Sequence, residues 1–164
     1  MDLEDVVRAA KRGEPLALAA LLRALGPYVG RICGAIALDD GDDAMQETMI
    51  RVLKGIHRLR EPAALHGWVR RIAVREALEL ARTRRTLVPV EQVPEPPNGM
   101  APELRVEVAD TLRQLTPEQR AILVLRELEG FAEAEAAALL DLPVGTAKSR
   151  LHRARRAFRR RWQG

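Results

Sequence analysis

Five of the 17 residues between Leu87 and Glu103 are proline, at positions 89, 94, 96, 97 and 102. Proline fixes φ and removes a backbone donor, so no helix and no central strand can run through such a stretch. The chain of 164 residues is therefore cut into two bodies of modest size, and each must find its own hydrophobic face. Neither side shows sustained strand alternation or an internal repeat. Apolar residues instead recur at helical spacing: Leu18, Leu21, Leu22 and Leu25; Met45, Met49, Val52, Leu53 and Ile56; Leu65, Trp68, Val69 and Ile72. The expectation is an all-α protein with helical domains at 1–86 and 104–164, joined by an extended proline-rich linker at 87–103.

In the first domain the pattern predicts a short helix from Leu3 to Arg12 and a second one opened by Pro15. Gly26-Pro27 is expected to bend or break the latter. An acidic loop, Asp39-Asp40-Gly41-Asp42-Asp43, precedes a helix over about 42–59, and a last helix ends near Arg84. In the second domain Thr116-Pro117-Glu118-Gln119 is a helix start: a capping hydroxyl, proline at the first helical position, and Gln three residues after the cap. That helix runs to Leu128. A short Ala-rich helix over 131–140, the break Asp141-Leu142-Pro143, and a helix from Val144 to about Arg161 follow.

Charge is distributed unevenly. Residues 104–145 hold four bases and eight acids, whereas 146–164 hold eight bases and no acid. A block so cationic repels itself in isolation and suits a polyanion. Within it Ala147, Leu151, Ala154 and Phe158 share one helix face, leaving Lys148, Ser149, Arg150, His152, Arg153, Arg155 and Arg156 on the others. Two helices with a three-residue break, the second basic and hydroxyl-bearing near its start, form a helix-turn-helix. Lys148, Ser149, His152 and Arg153 are then expected at base edges, and Arg150, Arg155 and Arg156 at phosphates. In the first domain Arg71, Arg75 and Arg82 fall within about 40° of one another on a helix.

Several classes are excluded. Cys33, the only cysteine, can form neither an internal disulfide nor a cysteine-based zinc site. There is no phosphate loop, no Gly-x-Ser-x-Gly elbow and no His-Glu-x-x-His. His57, His66 and His152 are scattered, and the acidic loop lacks the Glu that a calcium-binding hand requires. No catalytic residue, metal site or cofactor is expected. The acidic start and the seven-residue apolar run Leu16–Leu22 argue against a signal peptide and against membrane insertion, so the expected location is the cytoplasm.

The residues resemble a known family. Asp42-Asp43-Ala44-Met45-Gln46-Glu47-Thr48-Met49-Ile50-Arg51-Val52, Gly67-Trp68-Val69-Arg70-Arg71-Ile72-Ala73, Leu115-Thr116-Pro117-Glu118-Gln119-Arg120 and Val144-Gly145-Thr146-Ala147-Lys148-Ser149-Arg150-Leu151 occur in the order found in bacterial RNA polymerase sigma factors of the extracytoplasmic-function type. The resemblance covers nearly the whole chain. It implies a region 2 over 1–86 that docks on the β′ clamp helices of core RNA polymerase through Asp43, Gln46, Glu47 and Arg51. It implies capture of the single-stranded −10 promoter element by the segment holding Trp68, Arg71 and Arg75. A region 4 over 104–164 then reads the −35 element with Lys148, Ser149, Arg150, His152, Arg153 and Arg156, beside the polymerase β flap. The family also implies an anti-sigma factor as partner. Arg75 stands where Asn is frequent, Asp141 where Gly is common and Pro143 where a capping Ser is frequent. Two competing readings are a helix-turn-helix regulator acting without polymerase, and a sigma-like decoy that binds regulatory proteins.

Overall fold

The computed structural model describes residues 2–84 and 101–163. Among them there is no strand, as the periodicities predict. Of the segment expected to be extended over 87–103, residues 87–100 lie outside the described residues, whereas Pro102 and Glu103 already belong to a helix.

Helix α1 (Leu3–Lys11) puts Glu4 and Asp5 in its first turn and Lys11 in its last, matching the helix dipole. Gly13, at φ 82°, turns the chain into α2 (Pro15–Ala37). This helix is the spine of the first half. Leu21, Leu25, Val29, Ile32 and Ile36, all 1% exposed or less, form one stripe against which α1, α3 (Gly41–Gly55) and α4 (Leu65–Arg84) pack. Burying each such side chain contributes roughly 1.5–3 kcal/mol. Helix α2 does not break at Gly26-Pro27; it runs through Pro27 without interruption. Proline inside a helix costs about 3 kcal/mol, but Leu25 and Val29 on either side are fully buried, and a broken helix would pull both from the core. An 18-residue window at this part of the chain has a mean hydropathy of 1.4, enough by composition to cross a membrane. The seven-residue run taken alone does not reveal that length.

The close approach of α2 and α3 depends on glycine. A Cβ on Gly41 would lie 2.7 Å from the Cα of Gly34, a distance that real side chains do not tolerate. The expected acidic loop is ordered instead. Leu38, at φ 54°, ends α2; residues 38–40 form a 3₁₀ turn; and Asp42 and Asp43 open α3, where carboxylates suit the helix N-terminus. Cys33 is buried, its thiol pushed up to about 12 by desolvation, which removes it from redox chemistry near neutral pH.

In the second half, α5 (Pro102–Arg113) leads to α6 (Pro117–Leu123). The predicted capping box is present: the Gln119 amide donates to Thr116 Oγ1 at 3.2 Å, and the Thr116 amide to Gln119 Oε1 at 3.2 Å. The helix widens into a π-helical turn over Val124–Leu128. Helix α7 (Glu133–Leu139) then meets α8 (Val144–Trp162) through a turn in which Asp141 adopts φ 53°. Asp is among the few residues that tolerate this conformation. The predicted stripe of α8 is buried at Ala147, Leu151 and Ala154, with Ala157 added and Phe158 half-buried.

The halves touch extensively. Buried side chains of both belong to one hydrophobic cluster. The buried Arg120 donates from Nε to the Ile36 carbonyl at 2.6 Å and from Nη1 to the Leu112 carbonyl at 3.2 Å, tying α6 to the end of α2. Arg31 makes a two-pronged pair with Glu129 at 2.9 and 3.1 Å, and Arg113 reaches Asp39 at 2.8 Å.

Candidate nucleic-acid interface

Small residues let α7 and α8 approach closely. Ala136, Ala137 and Ala147 are at most 1% exposed, and the Leu142 amide closes the turn on the Ala137 carbonyl at 2.9 Å. Pro143 provides no side-chain cap, yet α8 starts immediately after it. With its stripe packed inward, α8 presents Lys148, Ser149, His152, Arg153 and Arg156 to solvent. These positions form one continuous face. No carboxylate pairs with Lys148, Arg153 or Arg156 among the described residues. Ser149 Oγ donates back to the Thr146 carbonyl at 3.0 Å, which steadies the first turn. Arg150 is only half exposed and acts on Glu118 of α6. Arg155, expected at phosphates, instead donates to Glu127 at 2.8 Å.

The strip on α4 is differently placed. Arg71 is exposed. Arg75 is 3.6 Å from Asp141 in the helix-turn-helix turn, and Arg82 is 2.7 Å from Glu118. Arg70 stacks 4.2 Å above the Phe131 ring while its Nε donates to the Tyr28 hydroxyl at 2.7 Å. One face of α4 is therefore turned toward the second half. Burial disfavours the charge on Glu118, but the Arg82 hydrogen bond and nearby positive charge outweigh it and hold the carboxyl below its ordinary 4.5. Trp68 is half-buried and rests on α3, where a Cβ on Gly55 would come within 2.9 Å of its ring. It is brought near no arginine of the strip by any contact described.

On α3, Asp43 and Gln46 are exposed and Glu47 is half-buried. Arg51 pairs with Glu47 at 3.4 Å and more closely, at 2.6 Å, with Glu76 of α4. Glu76 is 5% exposed. Desolvation raises its carboxyl above the ordinary value despite Arg51, so the arginine both anchors α3 to α4 and borders the outer face. Leu53, expected in the core, is 37% exposed, as is Ile50, while Thr48 takes the buried position. Thr48 can do so because its hydroxyl donates to the Ala44 carbonyl at 2.7 Å. Ile50 and Leu53 were missed as surface residues, although positions 43, 46, 50 and 53 fall within about 80° on a helix. Together they make an outer face that is polar toward the start of α3 and apolar toward its end.

Comparison with known proteins identifies the family. Residues 20–86 match the family Sigma-70 region 2, and residues 105–158 match Sigma-70, region 4. The probable RNA polymerase sigma-C factor of Mycobacterium bovis is 32% identical over 158 residues, covering 92% of this chain and 85% of that protein. The ECF RNA polymerase sigma factor SigE of Mycolicibacterium smegmatis is 34% identical over 132 residues, covering 73% of this chain; the match spans 51% of that protein, about half its length. Among solved structures, CnrH in complex with the cytosolic domain of CnrY is similar with a TM-score of 0.65 and 25% identity, over 96% of this chain and 95% of that one. The sigma factor RpoE of Bartonella quintana, in complex with the anti-sigma factor NepR, has the same fold with a TM-score of 0.66 at 20% identity, over 87% of this chain and 94% of that one. The chain thus belongs to the ECF RNA polymerase sigma factors, transcription initiation factors that are not themselves enzymes.

Proposed function

We propose that this chain docks on core RNA polymerase through the outer face of α3 and carries it to promoters read by α8 and α4. The division is a region 2 over 1–86, a linker over 87–103 and a region 4 over 104–164. In region 2, Asp43, Gln46 and Glu47, with Ile50 and Leu53 following them along α3, meet the β′ clamp helices, with Arg51 at the border. A half-apolar face of this kind suits an interface that forms and dissolves in each initiation cycle. Region 4 reads the −35 element beside the β flap. Arg153 and Lys148 hydrogen-bond base edges, Ser149 and His152 support them, and Arg150 and Arg156 position the helix on phosphates. Trp68, Arg71 and Arg75 belong to the segment that captures the −10 strand. Extruding a base costs a few kcal/mol, and arginine–phosphate contacts help to offset it. For Arg75 to take part it must leave Asp141, which its exposed side chain can do by rotation.

The single observation that carries this reading is the α8 face, whose Lys148, Arg153 and Arg156 lack an acidic partner among the described residues. The complex of the similar sigma factor RpoE with the anti-sigma factor NepR supports an anti-sigma factor as a further partner. The site of action is the cytoplasm. In-vitro transcription with core polymerase on a promoter library tests the proposal. Start sites sharing a −35 and a −10 sequence are expected, and their loss with Lys148→Ala/Arg153→Ala. Transcripts that do not depend on the added chain would overturn it.

A further inference from the structure

A cleft of about 580 Å³ lies where the two halves meet, between the end of α2, the end of α4, the α5–α6 turn and the end of α8. Its size is that of an ordinary small-molecule site. Five arginines line it: Arg84, Arg113, Arg120, Arg160 and Arg161. The carboxylates among its described lining residues are Asp39 and Asp40. Both are already engaged, Asp40 by Arg84 at 3.2 Å and Asp39 by Arg113 at 2.8 Å. Arg120 is buried and committed to the wall of the cleft, donating to the carbonyls of Ile36, Leu112 and Leu115 among others. Arg160 and Arg161 meet no carboxylate among the described residues. Arg113 Nε is buried and has no acceptor among them.

Arg160 and Arg161 therefore bring to the cleft positive charge that the carboxylates of its described lining, already paired, do not balance. Guanidinium forks match phosphate oxygens in geometry as well as charge. We infer that this cleft binds a polyphosphate group, free or carried on a nucleoside. Since its walls come from both halves, the occupant holds them together. Arg161 lies beside the buried stripe of α8, whereas Arg160 stands one turn beyond Arg156 and continues its face past the residues assigned to the groove.

Calorimetric titration of the full chain with inorganic tripolyphosphate, and in parallel with a nucleoside triphosphate, tests this. Saturable binding with a rise in melting temperature is expected. Equal affinity for the two places recognition in the phosphates alone; tighter binding of the nucleotide adds a contact to the nucleoside. Arg160→Ser/Arg161→Ser, both at exposed positions, should weaken binding by about tenfold or more. Lys148→Ser/Arg153→Ser should bind tripolyphosphate as before. Three results would overturn the inference: no binding; the same thermal shift from sulfate at matched ionic strength; or loss in the Lys148/Arg153 variant with retention in the Arg160/Arg161 variant, which would put the anion on the groove-reading face.

Discussion

Helices α4 and α8 both carry arginines at helical spacing, yet they differ in what those arginines touch. On α8 the face of Lys148, Arg153 and Arg156 is exposed and has no acidic neighbour among the described residues. On α4, Arg75 meets Asp141 and Arg82 meets Glu118, both across the junction of the halves, and Arg84 meets Asp40. The uneven charge along the chain accounts for this. The acid surplus of 104–145 lies where the first half's arginines can reach it, while 146–164 contains no acid of its own. Cationic content alone thus does not mark a surface as ready for DNA. The location of the nearest carboxylates decides.

The comparison can be broken most forcefully from the core. Leu151→Ala, at a residue 2% exposed beneath the α8 face, should cost about 2–5 kcal/mol. Thermal or urea unfolding measures this, and a loss below about 1 kcal/mol would mean that α8 is not seated as described. Next, Arg153→Ala should weaken specific promoter binding by about 1–3 kcal/mol and random DNA by less. Equal losses in competition binding would reduce Arg153 to a phosphate contact, like the strip on α4. Smaller still, a double-mutant cycle on Arg82 and Glu118 should give a coupling of about 0.2–1 kcal/mol, because the arginine is largely exposed and screened, and added salt should shrink it.

The smallest effect is the pH dependence of that coupling. Glu118 is held below its ordinary value of 4.5. Its contribution is complete above the unfolded value and is lost as pH falls through the folded one. The coupling should be full at neutral pH and gone once the folded carboxyl is protonated. Asp40 and Glu76 act in the opposite sense: desolvation raises both, so each favours the fold more as the medium becomes acidic.

Much of the fold was legible locally. The Thr116 capping box, the α8 stripe and the tolerance of Asp141 for a left-handed turn each follow from a few neighbouring residues, and each is present. What escaped depends on distant partners. The survival of α2 through Pro27 is decided by burial on both sides of it, which the dipeptide does not contain. Leu53 looks like core by spacing, but it is left 37% exposed. Arg31 and Glu129 are 98 residues apart, and an ion pair at that separation leaves no periodic trace. The α8 face was readable because Lys148, Arg153 and Arg156 take no acidic partner among the described residues. The α4 strip was only half readable, because Glu118 and Asp141 lie on other elements.

One consequence follows from the bare contact of Gly34 with Gly41. The spacing between α3, the helix proposed to dock on polymerase, and the central spine is set by one missing methyl group, at Gly41; a Cβ on Gly34 would meet nothing within 4 Å. A single added carbon at 41 would wedge α3 outward and tilt Asp43 and Gln46 with it, while the distant α8 face kept its shape. Such a chain could still recognise a −35 sequence yet arrive there without its enzyme, and so become a competitor of its own parent.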